Sequence, residues 1–380
     1  QLNENAMCKV AGLTIETRPD CINVDEVKRL IDYGVTRVQL GIQSTNDTIL
    51  KKINRQCYNK HTVASLKLLK SAGLKTLIHI MPNLPFSSID IDKKTFDTLL
   101  YDTDYLADEW KIYPTSVTTT SDRDDSEILT VIEKWYNEGK YNPYSNEDLF
   151  NLLVKVKEQV HPYIRISRIF RDIPLFNITG GANIPNMRQH LKKRMHSDRP
   201  CKCIRCREIR NNKLEKDNIK LCIRKFTSSG DTEYFISYET LDNKYIYGFL
   251  RLRMNRDSYI EELNNRAIVR ELHVYGSMMS TFVKQNDKDA SQHKGLGSNL
   301  LYYAEWLAFL YNYKGICINS GAGVKGYYRN KHGYEGNHNY MTKRFRYTIE
   351  MCILYGIYYL TIVYIIIRLS SLGYFYEMYR

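Results

Sequence analysis

The chain has 380 residues and a mass of 44.7 kDa, a length that sets an expectation of about two to three domains and excludes a small disulfide scaffold. Hydrophobic residues at 43%, charged residues at 26% and aromatics at 12% exclude wholesale disorder. The nine cysteines, an odd number with three in one short stretch, suit a reducing compartment and metal or free thiols better than secreted disulfides. The net charge of +13 is concentrated, because residues 161–225 hold 17 Lys and Arg against 5 Asp and Glu. Such a block predicts a polyanionic partner, nucleic acid first among the candidates.

In chain order, QLNENAMCKVAGLTIET opens on Gln and has no charged segment followed by an apolar one, so no signal peptide is read. The expectation is a cytoplasmic chain that starts inside a longer protein. Apolar β-type runs follow at residues 10–17, 36–43, 75–82, 108–114 and 163–170. Helical periodicity lies between them at 23–33 (capped by Asn23, closed before Gly34), 61–72 (closed at Gly73) and 145–160 (opened by a Ser-x-x-Asp box). This alternation predicts parallel strands. Polar residues close the first three runs: Glu16, Thr17 and Arg18, then Gln43 and Ser44, then MPNLP at 81–85. In parallel α/β folds ligands bind at those carboxyl ends.

Residues 171–225 read as a basic, loop-rich linker carrying Gly180 and Gly181 and the clustered cysteines. Antiparallel-type strands are then expected at 233–239, 245–253 and 267–276, followed by QHKGLG (292–297) opening a helix that runs to Asn312. A strand at 315–320, a short helix at 327–330 and a strand at 334–345 complete this part. Beyond it, residues 351–367 are 17 residues without a charge, stopped by Arg368. That run is either a short membrane-spanning segment, which needs about 17 to 25 apolar residues, or an apolar segment packed on the protein or left unfolded.

Two motifs carry chemistry. The glycines of QHKGLG let backbone N–H groups approach an anion at a helix N-terminus, so a pyrophosphate fits; an ordinary glycine loop is the alternative. The hexapeptide resembles the acetyl-coenzyme A loop of the GCN5-related acetyltransferases (GNAT). CKCIRC places Cys201, Cys203 and Cys206 at a spacing that can wrap one tetrahedral metal, zinc being the plain candidate, with Lys202, Arg205 and Arg207 favouring thiolates. His190 and His196 lie nearby without a diagnostic spacing, and three unligated thiols are the other reading.

IETRPD (15–20), YGVTRVQLGIQS (33–44), HIMPNLP (79–85), KIYPT (111–115), RDIP (171–174), CREI (206–209), LRLR (250–253), RELHVYG (270–276), QHKGLG and GYYRNKHGY (326–334) stand in the order found in one family. From about residue 10 to 345 the chain resembles the Elongator catalytic-subunit family, tRNA acetyltransferases that join a radical S-adenosylmethionine (SAM) barrel to a GNAT domain and begin carboxymethylation of the wobble uridine. The resemblance implies an α/β fold: a partial radical SAM (βα) barrel over 1–170, the basic linker over 171–225, a GNAT domain over 226–345 and a hydrophobic extension over 346–380.

It implies an acetyl-CoA site of Gln292, His293, Lys294, Gly295, Leu296 and Gly297, with the pyrophosphate on the amides of Lys294 to Gly297, and the pantetheine along Glu271, Leu272, His273 and Val274. Tyr327 and Tyr328 would be the catalytic tyrosines, protonating the departing thiolate or positioning the thioester, with core or cofactor-stacking aromatics as the alternative. SAM would contact Glu16 and Gln43, and Lys111 would lie near the substrate nucleotide. Arg165, Arg168, Arg171, Lys192, Lys193 and Arg194 would meet the phosphates of a tRNA anticodon arm, with other Elongator subunits or a second copy as further partners. The family's 4Fe-4S cluster is held by three cysteines before IETRPD, where this sequence has only Cys8, so the chain as given is expected not to build it. A protein lysine acetyltransferase and a non-catalytic tRNA-binding protein remain competing readings.

Overall fold

Five strands form a parallel sheet in chain order. In this computed structural model the described residues are 3, 6–119, 129–171, 173–209, 218–275, 295–336, 339–345 and, near the carboxyl end, 356, 357, 359–361, 363 and 364. The first half runs β1 (Leu13–Thr17), α1 (Val24–Asp32), β2 (Val35–Gln43), α2 (Asp47–Lys52), α3 (Asn59–Ser71), β3 (Lys75–Ile80), α4 (Ile89–Tyr101), β4 (Glu109–Ile112), β5 (Ser116–Thr118), α5 (Val131–Asn137), α6 (Asn146–Gln159) and β6 (Arg165–Ile169). The sheet order is β1-β2-β3-β4-β6, every neighbouring pair parallel, as the alternation of runs predicts. β5 leaves the sheet and pairs with β7 (Ile178–Gly181).

Strand β2 shows how one sequence serves two faces. Val38, Leu40 and Ile42 are buried in the main apolar cluster with Leu30, Ile31, Leu66 and Leu69 of the helices. The alternate residues Arg37, Gln39, Gly41 and Gln43 therefore stand on the opposite face, away from these helices. Caps agree with the sequence: Asn23 accepts from Glu26 N–H and Ser145 from Asp148 N–H.

The span expected to be a loop-rich linker contains β7, α7 (Met187–Arg194), α8 (Ile204–Arg207) and β8 (Ile219–Ser228). β8 is the edge of a six-stranded sheet with β9 (Asp231–Thr240), β10 (Ile246–Asn255), β11 (Arg266–Val274), β12 (Gly315–Asn319) and β13 (Tyr340–Arg344). Its order is β13-β12-β11-β10-β9-β8, antiparallel throughout except for β11 and β12. Of the strand expected over 334–345, the described residues form β13 and a bridge from Glu335 to Thr342. Helix α9 (Leu296–Leu310) buries Leu300, Leu301, Ala304, Ala308 and Phe309 at this sheet, and α10 (Lys325–His332) is longer than the expected 327–330.

The two sheets share their interior. Ile268, Cys317 and Tyr340 of the second belong to the same apolar cluster as Leu69, Ala72 and Leu74 of the first, and Tyr340 Oη donates to Ala72 O at 2.7 Å. Beside this cluster lies a charged one. Arg270 donates to Asp108 Oδ1 at 2.5 Å and Oδ2 at 2.8 Å and to Glu233 Oε2 at 2.7 Å, while Arg253 and Lys70 reach Glu233 at 2.8 and 3.5 Å. All five residues are at most 3% exposed, so each charge depends on these partners. Lys75 extends the network, 2.5 Å from Glu109 and 2.6 Å from Glu271, and Glu271 meets Arg251 at 3.0 Å.

The apolar run at 351–367 lies mostly outside the described residues. Among the described residues no helix is long and apolar enough to cross a membrane.

Candidate functional site

At the first sheet, register assembles a polar patch. Glu16 pairs with Gln39 across β1 and β2, and His79, Lys111 and Arg168 stand in one row across β3, β4 and β6. Lys111 Nζ donates to Gln39 Oε1 at 2.6 Å, His79 Nε2 lies 2.9 Å from the same oxygen, and His79 Nδ1 lies 3.3 Å from Glu16 Oε1. The Tyr113 ring meets His79 edge-on at 5.5 Å. Burial pushes the Lys111 ammonium below its ordinary pKa, Glu16 opposing and Arg168 and Arg37 adding to the effect. Glu16 is exposed, and half-buried Gln43 takes a left-handed backbone, φ 67°, with its carbonyl accepting from Met81 N–H at 2.8 Å. Lys111 and Glu16 thus stand in one cluster. Gln39, His79 and Tyr113 join them unforeseen, although the polar alternation of β2 and the motifs HIMPNLP and KIYPT contain all three.

At the second sheet, β11 and β12 pair only from Arg266 with Gly315 to Val269 with Ile318, and β11 continues to Val274. Among the described residues nothing pairs with the β12-facing backbone of Arg270–Val274, an edge able to take an extended polar chain. A bulge in the β10–β11 register falls at Arg270 and turns its side chain into the buried ion pairs. Next to this edge begins α9. Gly295 caps it with φ 111°, a conformation that favours glycine, and a Cβ at Gly297 would lie 3.3 Å from Tyr327 Oη and 3.5 Å from Val274 Cγ2. Ser298 Oγ lies 3.4 Å from both Tyr327 Oη and His332 Nε2. Tyr328 is buried at 6% exposure, burial raising its phenol well above the usual range.

Val274, Gly297 and Tyr327 thus converge, with Gly295 and Leu296 at the start of the same helix. Leu272 packs against the second sheet's apolar cluster, His273 is exposed, and Glu271 is held by Lys75 and Arg251. Gln292, His293 and Lys294 lie outside the described residues. The features that fit a coenzyme here are the helix N-terminus, the glycine cradle and the strand edge that no described residue pairs with.

The three cysteine sulfurs lie within 4.8 Å of one another, Cys201 and Cys203 buried and Cys206 exposed. Lys157 Nζ is 3.5 Å from Cys206 Sγ and Arg188 Nη1 is 3.9 Å away. Hydrogen bonds from Cys201 and Cys203, opposed by burial and aided by these two cations, hold the Cys206 thiol far below its ordinary value. Tetrahedral zinc with sulfur at about 2.3 Å needs sulfurs about 3.8 Å apart, which this group can supply. Among the described residues it is the one such set of three or more potential ligands. It docks at the amino end of β6, Ile204 N–H donating to Ile164 O at 3.0 Å, remote from Glu16 and Gln43. The described residues therefore do not form a cluster site at the strands' carboxyl ends.

The basic residues divide. Arg165 is turned inward, its guanidinium at Glu208 and 3.8 Å from Glu109 and donating to Tyr275 Oη at 3.0 Å, so a phosphate would have to displace these partners. Arg168, Arg171, Lys192 and Lys193 are exposed; Arg194, also exposed, pairs with Glu147 at 2.7 Å and covers the Phe150 ring at 4.3 Å.

The sequence pattern of the Radical SAM superfamily matches residues 2–95, and that of the Radical SAM C-terminal domain matches 107–197. A tRNA uridine(34) acetyltransferase of Dehalococcoides mccartyi is 37% identical over 352 residues, covering 90% of this chain and 73% of that protein. A protein of the same name from Methanocaldococcus jannaschii is 36% identical, and Elongator complex protein 3 of Saccharomyces cerevisiae is 33% identical. Both matches cover 90% of this chain, which spans 63% and 61% of their lengths. The solved structure of Methanocaldococcus infernus Elp3 with an N-terminal deletion aligns at a TM-score of 0.81 and 34% identity, over 90% of this chain and 80% of that one. A parallel radical SAM sheet followed by an acetyltransferase-type sheet, and identity at this level across both, place the chain in the family of the tRNA uridine(34) acetyltransferases and Elongator complex protein 3.

Proposed function

We propose that the chain supplies the SAM-binding and acetyl-binding parts of a tRNA uridine(34) acetyltransferase that builds a carboxymethyl group on carbon 5 of the wobble uridine. The observation that carries the reading is the edge of β11 that no described residue pairs with, beside the first turn of α9 and Tyr327. The proposed division is 1–170 for the partial barrel, 171–225 for the basic segment, 226–345 for the GNAT domain and 346–380 for the extension, with β8 (Ile219–Ser228) carrying the GNAT sheet back across the 225/226 boundary.

Acetyl-CoA lies with its pantetheine amides along Arg270–Val274 and its pyrophosphate on the amides that open α9. A strand N–H near His273 polarises the thioester carbonyl, and Tyr327 Oη holds the proton that the departing sulfur takes when water adds to the acyl carbon and the C–S bond breaks, leaving the carboxyl group. Tyr328, buried behind it, keeps that ring in place. Glu16 and Gln43 contact S-adenosylmethionine; the described residues offer no cluster site beside them, so the hydrogen abstraction from the acetyl methyl group is not assigned to their side chains. Lys111 lies near the uracil. Arg168, Arg171, Lys192, Lys193 and Arg194 meet anticodon-arm phosphates, and CKCIRC holds a structural zinc that fixes this surface.

Acetyl-CoA hydrolysis measured with and without tRNA tests the reading. Stimulation by tRNA is expected; turnover dependent on a lysine peptide would favour protein acetylation, and no turnover a tRNA-binding role without catalysis.

A further inference from the structure

Gln39, His79 and Lys111 meet on the face of the parallel sheet opposite the one on which Val38, Leu40 and Ile42 pack against the helices. An ammonium only donates, and Lys111 Nζ lies 2.6 Å from the Gln39 side-chain oxygen, so the carboxamide must present its oxygen to it. The same oxygen lies 2.9 Å from His79 Nε2. A carbonyl oxygen only accepts, which requires the proton of His79 to be on Nε2. Burial, reinforced by Lys111 and opposed by Glu16, moves His79 below its ordinary range, so the neutral ring is the form at neutral pH. Nδ1 then carries a lone pair, and it faces Glu16 Oε1 at 3.3 Å. Two acceptors stand side by side where β1 and β3 approach their carboxyl ends. Tyr113 and Arg168 of the neighbouring strand ends complete the surroundings.

We propose that Gln39 is a positioning residue, oriented by Lys111, which holds His79 as its Nε2–H tautomer so that Nδ1 and Glu16 together accept from an N–H donor of a bound ligand. The α-ammonium of S-adenosylmethionine and the N3–H of uracil both have this chemistry. The tautomer is independent of the proposed reaction, whereas the choice between these donors rests on it.

The test is nitrogen NMR of the full chain labelled in its histidine rings, with the His79 signals assigned through His79→Gln. At neutral pH Nδ1 should show the shift of an unprotonated nitrogen and Nε2 that of a protonated one. Lys111→Met should free the carboxamide to turn its nitrogen toward Nε2, and the tautomer should invert, placing Nδ1–H against Glu16. Gln39→Met should likewise release the ring, while Gln39→Glu, which accepts and cannot donate, should keep the wild-type pattern with a raised His79 pKa. Titration with S-adenosylmethionine and, separately, with a uridine-containing anticodon stem-loop should move Nδ1 for the ligand that supplies the donor. Affinity for that ligand should fall about tenfold in Gln39→Met and recover in Gln39→Glu. An unchanged His79 tautomer in Lys111→Met overturns the positioning role, even should Gln39→Met not fold. An Nδ1 signal indifferent to both ligands overturns the acceptor role.

Discussion

Replacing Arg270 by Met keeps bulk and removes the cation that two buried carboxylates share. Asp108 would be deprived of its hydrogen bonds at 2.5 and 2.8 Å and Glu233 of its hydrogen bond at 2.7 Å. Asp108 keeps Thr76 N–H at 2.8 Å, Thr76 Oγ1 at 3.0 Å and Arg251 at 3.6 Å; Glu233 keeps Arg253 and Lys70. Breaking a buried pair costs about 3 to 5 kcal/mol, and these remaining partners put the expected loss near the lower figure, about 3 kcal/mol. That is a large share of the roughly 5 to 15 kcal/mol that holds a domain. Urea unfolding followed by tryptophan fluorescence should show it as a fall in midpoint at unchanged slope. Asp108→Asn added to Arg270→Met should cost less than the two singles combined, by more than about 1 kcal/mol. A midpoint shift worth under about 0.5 kcal/mol, or strict additivity, would refute the claim that these charges depend on one another. The same network sets an acid limit. Burial pushes Glu233 up, but Arg270, Lys70 and Arg253 outweigh it and hold the carboxyl at about 2 against an ordinary 4.5. A depressed carboxylate stabilises the fold above its unfolded value, so this contribution should be complete above pH 4.5 and vanish as the pH falls toward 2.

Gly297→Glu should place a side chain and a negative charge where a pyrophosphate would sit, lowering acetyl-CoA affinity about a hundredfold or more; calorimetry finding equal affinity would remove the coenzyme assignment. Ala at Lys192, Lys193 and Arg194 together should weaken tRNA binding and flatten its log–log salt dependence by about 0.7 to 0.9 for each phosphate no longer neutralised, and a parental slope would show this face to be merely solvated. Protein purified under reducing, chelator-free conditions should carry about one zinc per chain, removed in Cys203→Ser with a fall in tRNA affinity and intact coenzyme binding. Absence of metal would leave three thiols.

Strands of the first sheet were readable because each is a short apolar run between caps and glycines, and their order follows from the parallel βα rule. Helix α4 was not, because two of its buried positions are Asp92 and Thr95, which interrupt the apolar stripe that a helix ordinarily shows. β8 escaped for a related reason: as an edge strand it interleaves Lys220, Arg224 and Lys225 with partly covered residues and has no fully apolar face. Glu16 and Lys111 could be named from motif position, but their meeting through Gln39 and His79 depends on the register of four parallel strands, information no local pattern holds. Arg165 and Arg168 look alike in sequence; only the fold shows Arg165 turned to Glu208 and Glu109 and Arg168 left exposed.

The hydrogen bond from Tyr340 to Ala72 spans 268 residues and belongs to the same apolar cluster that covers the parallel sheet. Pairings so distant in sequence form late, since the loop they close carries its entropy cost before any packing repays it. During synthesis at about 5 to 20 residues per second, roughly ten seconds to a minute passes between the emergence of α3 and that of β13. Throughout that interval Leu69, Ala72 and Leu74 lack the second sheet that covers them. The first half of the nascent chain is therefore the species for which a chaperone matters most, and a ribosome stalled between the two sheets would leave a sticky intermediate rather than a free-standing barrel domain.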